Sequence, residues 1–329
     1  MQLFRVARHT VSVLTLCCVL SSLLALRPAA APRERTVVFT YRALIPSKLT
    51  PTDLWLPIPH DSPFQRITDL TISSPAPYRI DTGAYGNRML HVSVPAKADT
   101  GGMVTVRFTA RRLEHSQPTT PQPGHQPISD AERTRWLQPD RLVPIDGKVR
   151  QWANEVVTKA NARTDLAKAR AIYNHVISTV QYDKSGTGWG RGDIYYACDA
   201  RRGNCTDFHA IFIGYCRAVK IPARFAIGVS LPTDRPEGQI SGYHCWAEFY
   251  LNDVGWVPID ASEAAKNPAK RDYFFGTHDE NRIEFSVGRD LRLYPGQAEP
   301  LNFFVYPYAE TAGQPLPGVQ SLFTYRALQ

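Results

Sequence analysis

Cys205 opens a helix, and two later residues of complementary chemistry follow it on what reads as a hairpin. After Cys205 the apolar residues Phe208, Ile211, Phe212, Tyr215 and Val219 recur at helical spacing, and Ile221-Pro222 stops the run. The pattern predicts an amphipathic helix with Cys205 in its first turn. There, unsatisfied N–H groups and the positive end of the helix dipole favour a thiolate over a thiol. Downstream, Tyr243 to Leu251 reads as a strand, Asn252 to Gly255 as a turn and Trp256 to Asp260 as the returning strand. A two-residue turn at Asn252-Asp253 pairs Leu251 with Val254, and hence Cys245 with Asp260. That register sets His244 and Asp260 on opposite faces, unless a bulge at Gly255 shifts it.

An isolated cysteine is usually a buried, inert residue. A helix-start position with a fitting His and Asp points instead to a nucleophile. In such a site His244 takes the thiol proton, and Asp260 holds the second ring nitrogen and the right tautomer.

These pieces resemble the transglutaminase-like superfamily. The matching residues are Gly203-Asn204-Cys205, Ile221-Pro222-Ala223-Arg224, His244-Cys245-Trp246-Ala247-Glu248 and Trp256-Val257-Pro258-Ile259-Asp260, in the family's order and spacing over roughly 140 to 265. The resemblance implies a papain-like core with Cys205 as nucleophile, His244 as general base and acid, and Asp260 as the orienting carboxylate. Lys220 stands where a Gly is common, and Cys245 where an Ala is common, which places a second thiol beside the base.

The glycine- and charge-rich stretch Ser185 to Arg202 reads as the wall or lid of the cleft. Trp189, Asn204 and Trp246 are cleft candidates, and Arg201 and Arg202 either bind an anionic substrate group or are simply solvated. No phosphate-cradling fingerprint and no G-x-S-x-G elbow is present. Cys205-x-x-x-His209 and His244-Cys245 offer soft ligands without a C-x-x-C pair, so neither a metal nor a cofactor is expected. His209 reads as a packed, hydrogen-bonded residue.

Residues 1–31 read as a secretory signal or an N-terminal anchor. Arg5, Arg8 and His9 precede the apolar run Val11 to Leu26, and Pro28-Ala29-Ala30-Ala31 offers small residues for cleavage. Beyond it Cys198, Cys205, Cys216 and Cys245 remain, which is no disulfide framework once one thiol is catalytic. The net charge of +8 is spread without a Lys/Arg run. It argues against a nucleic-acid partner and suits an anionic cell envelope.

Short strand-like runs between Pro- and Gly-bearing turns predict a β-sandwich over 36–115, a Pro-rich linker over 116–139, a catalytic domain over 140–310 and a strand or tail over 311–329. Helices are expected near 145–160 and 164–180, and both 282–287 and 301–308 should extend the sheet. Phe39 to Leu44 reappears word for word as Phe323 to Leu328, which reads as two strands of like environment or as chance. The expected whole is an α+β, exported cysteine enzyme acting on peptide or side-chain amide bonds of a protein or peptide substrate. Hydrolysis is the preferred outcome. Acyl transfer to an amine, and an inactive envelope-binding module, are the alternatives.

Overall fold

The structure, a computed structural model, describes residues 31–44, 50–96 and 102–328. The leader expected at residues 1–31 lies, but for Ala31, outside the described residues. From Pro32 onward the chain forms one compact unit.

Alternating apolar residues build two five-stranded antiparallel sheets. In the strand Met103–Leu113, the residues Val104, Val106, Phe108 and Ala110 point to one side and are buried. They meet Val37, Phe39, Tyr41 and Ala43 of the neighbouring strand Glu34–Leu44. Leu54, Leu56 and Ile58, with Leu90, Val92 and Val94, line the second sheet and share the same core.

The sandwich expected at 36–115 does not stop there. Ser321–Ala327 pairs with Glu34–Leu44 in the first sheet, and Tyr308–Thr311 pairs with Thr52–Ile58 in the second. Glu237–Ile240 adds an outer strand to the first. The tail expected at 311–329 is therefore part of the sandwich. The duplicated six-residue word has a structural basis: Phe39 lies opposite Tyr325 and Tyr41 opposite Phe323, and the rings of Tyr41 and Phe323 are 4.5 Å apart. Two copies of one alternating pattern make matching cross-strand partners.

The second half is a four-stranded antiparallel sheet, ordered Gly255–Ile259, His244–Leu251, Ala223–Ser230, Arg282–Val287, with helices packed on it. The expected helices lie at Gly147–Lys159 and Asp165–Thr179, the latter capped by the Thr164 hydroxyl, which accepts from Ala167 N–H. Helices at Asp130–Trp136 and Ile194–Ala200 interrupt stretches read as linker and as lid. The run 301–308 is mostly loop rather than strand, with Phe304 packed beside Trp55, Leu291 and Leu293.

The helix Cys205–Ala218 is buried along its whole length, not on one face as its periodicity suggested. Helices cover one side of it and the His244–Leu251 strand the other. Its polar residues are therefore satisfied internally. Arg217 donates to the carbonyls of Ala223 and Gln138 and to the Asp140 carboxylate, at 2.8 to 2.9 Å.

Candidate active site

Cys205 is the first residue of that helix. The Asn204 side chain accepts from Thr206 N–H, while the Asp207 carboxylate reaches back to Asn204 N–H at 2.9 Å, a reciprocal capping box. Asp207 also accepts from the N–H groups of Gly190 (2.7 Å) and Gly192 (3.1 Å), so one buried carboxylate ties the glycine-rich loop to the helix start. Gly203 makes room for it, because a Cβ there would collide with the carboxylate.

His244 begins its strand, and Asp260 follows the partner strand. The register differs from the expected one. The turn holds three residues, 252–254, and Gly255 takes φ +102°, so Leu251 pairs with Gly255 and Ala247 with Ile259. Continued by one residue, the ladder sets Trp246 opposite Asp260. The shift by one gives His244 and Asp260 the same parity, hence the same face. His244 Nε2 then lies 2.7 Å from Asp260 Oδ2.

With Nε2 committed to Asp260, His244 has Nδ1 left for Cys205, and the charges of the two groups stabilise each other. All three groups are buried: Cys205 is 1% exposed, His244 5% and Asp260 0%. Burial opposes ionisation of the Cys205 thiol. Hydrogen bonds from Cys245 and His244, and the imidazolium charge, outweigh it and hold the thiol well below its ordinary value. Burial likewise pushes His244 down, yet the Asp260 charge and hydrogen bond, with those of Cys205, raise it to about 10. Asp260 is held well below the ordinary carboxylate range against its burial, by His244 first and by Arg282. The other described thiols behave oppositely. Burial raises Cys216 and Cys245, and pushes Cys198 up to about 11.

Asp260 is fixed from several sides. It caps the helix Ala261–Lys266 by accepting from Glu263 N–H, and it accepts from Ser262 Oγ (2.9 Å) and from the buried guanidinium of Arg282 (3.3 Å). His209 packs beside Asp260 and Cys245. Its Nε2 accepts from Ala261 N–H (3.2 Å), which leaves the proton on Nδ1, 3.6 Å from Cys245 Sγ. Burial lowers its pKa, in keeping with that neutral tautomer.

Three contributors were not singled out from sequence. Asp207 carries a readable signal, the Asn-x-x-Asp spacing of a capping box before an apolar helix. Tyr243 immediately precedes His244, and its hydroxyl meets Asn204 Nδ2 (2.7 Å), Thr206 Oγ1 (2.9 Å) and the Gly190 carbonyl (3.3 Å). Arg282 has no local signal, since only tertiary folding brings it to Asp260.

The cleft candidates divide. Asn204 is buried as the helix cap and touches Tyr243. Trp189 is half-buried on the loop, its indole N–H donating to the Gly186 carbonyl. Trp246 is fully buried, under the Arg282 guanidinium and beside the rings of His244 and His278. Arg202 is paired with Asp183 at 3.5 Å, and Arg201 is an exposed left-handed helix cap. Both border a groove of about 720 Å³ with Tyr182 and Lys266.

Residues 150–261 match the family described as the transglutaminase-like superfamily. An uncharacterized protein of Haemophilus influenzae is 26% identical, over 84% of this chain and 85% of that protein. Among solved structures, a Cytophaga hutchinsonii protein provisionally assigned as a cysteine protease aligns with TM-score 0.56 and 16% identity, covering 91% of this chain and 99% of that one. The periplasmic domain of TgpA from Pseudomonas aeruginosa gives TM-score 0.35 at 16% identity, over 74% of this chain and 91% of that domain. Residues 150–261, the stretch that matches the transglutaminase-like superfamily, contain Cys205, His244 and Asp260.

Proposed function

We propose that this chain is a cysteine hydrolase that cleaves peptide or side-chain amide bonds through an acyl-thioester on Cys205. The observation that carries this reading is the buried grouping of Cys205 with the hydrogen-bonded pair His244–Asp260, in which Cys205 alone of the four described thiols is shifted toward the thiolate. The thiolate attacks the amide carbonyl carbon. The Cys205 N–H, which has no intrahelical acceptor in the first turn, is placed to stabilise the oxyanion. His244 then passes its proton to the leaving nitrogen, and the C–N bond breaks. Water attacks the thioester, His244 takes its proton, and the acid leaves as the thiolate returns.

Because Cys205 is only 1% exposed, the acyl donor reaches it when the groups around it swing aside. Tyr243, bridging the helix start and the Gly190 segment, is the latch. The leader supports action outside the cytoplasm, at the cell envelope. Among the described residues no helix is long and apolar enough to cross a membrane.

Product mass separates hydrolysis from transfer. Given a glutamine-containing peptide and excess primary amine, the hydrolase gives cleaved peptide or a deamidated product heavier by about one mass unit, within the acyl-transfer scheme. Predominant amine adducts would replace this reading with an acyltransferase. In the same assay Asp260→Asn keeps the shape of the orienting group, so kcat should fall by about 10- to 100-fold rather than vanish. An unchanged rate would remove Asp260 from the mechanism.

A further inference from the structure

We propose that His115, Glu248 and His278 form a binding site for a divalent transition metal of the zinc class, clamping the N-terminal sandwich onto the catalytic sheet. The three come from distant parts of the chain, and each is buried. Their ligand atoms lie within 4.8 Å of one another. His115 and His278 are direct cross-strand partners in a two-residue ladder, and Glu248 projects from the strand that begins with His244.

The histidine geometry is that of a metal ligand rather than of a satisfied core residue. His278 Nε2 is 3.0 Å from the Ile259 carbonyl, while its Nδ1 is buried with no partner. A metal-binding imidazole typically commits one nitrogen to a backbone carbonyl and leaves the other free for the ion. Without a ligand, this orphaned nitrogen is a buried polar atom whose hydrogen-bonding capacity is unmet. His115 Nδ1 stands 3.4 Å from Glu248 Oε1, close to the ~3.3 Å separation of two ligand atoms around tetrahedral zinc.

Glu248 is divided between two tasks. Its Oε2 takes the Arg224 guanidinium at 2.5 Å, leaving Oε1 on the histidine side. The surrounding charge also permits a cation. Arg112, Arg224 and Arg282 are set against Glu248, Glu284, Asp279 and Asp260. A cavity of about 540 Å³ reaches His115 and Glu248 and is also lined by Phe64, His125, Arg112 and Arg224.

The test is titration of the purified full-length protein, stripped by chelator, with Zn²⁺ alone. One equivalent should bind, and Tm should rise by roughly 5 °C or more at about 100 times the dissociation constant. His278→Ala should weaken binding at least 100-fold, and Glu248→Gln similarly. His244→Ala should bind as the wild type does, which separates this site from the triad. Failure of the wild-type protein to bind, or a Zn²⁺ response unchanged in His278→Ala, would overturn the proposal. The wild-type measurement decides the matter even if a variant fails to fold.

Discussion

Cys205→Ala should lose turnover of every amide donor that the wild-type protein accepts, on the order of 10⁴-fold or more in kcat/KM. Alanine is a good helix former and the side chain is small, so Tm should move little. Cys205→Ser should be nearly as inactive. A serine hydroxyl does not ionise against His244, and the activation described above depends on the thiolate–imidazolium pair. Activity surviving in Cys205→Ala would place the nucleophile elsewhere.

His244→Ala should change how Cys205 responds to pH more than any other single replacement. In the wild type the ion pair persists from the low pKa of the thiol up to about 10, where His244 loses its proton. Alkylation of Cys205 should therefore be nearly flat from pH 5 to 8. Without the imidazolium, only the hydrogen bond from the neutral Cys245 thiol opposes burial, and the pKa rises. The rate in the variant should then climb about tenfold per pH unit, a span of about 10³ across the same window. Following single-site alkylation by mass spectrometry checks both slopes. Parallel profiles would show that His244 does not stabilise the thiolate.

Local signals in the chain foretold local structure. The Thr164 cap, the period of the Cys205 helix and the strand–turn–strand of 243–260 all depend on neighbours a few residues away, and each element stands where its pattern put it. The hairpin register was one residue off because a two-residue turn and a three-residue turn with a left-handed glycine look alike until the pairing is known. What sequence hid was set by distance. The strands at 308–311 and 321–327 close a sandwich begun some 270 residues earlier, and no local pattern announces their partners. Arg282 beside Asp260 and His278 beside His115 are equally non-local. Trp246 misled for a related reason, since a tryptophan two residues from a catalytic-looking histidine fits a cleft as well as a core. In the fold His278 and Arg282, both distant in sequence, cover it.

The role of Cys205 as a thiolate nucleophile is tested most directly by mapping the modification of the native protein. Brief exposure to iodoacetamide at pH 6 to 7, followed by digestion and peptide mass analysis, reports the rate at Cys198, Cys205, Cys216 and Cys245 in one sample. Burial raises three of these thiols, and the contacts of Cys205 lower it alone, so Cys205 should be labelled first, with the others modified slowly or only after unfolding. Equal labelling of all four in the folded protein, or preferential labelling of Cys198, the most accessible of them, would contradict it.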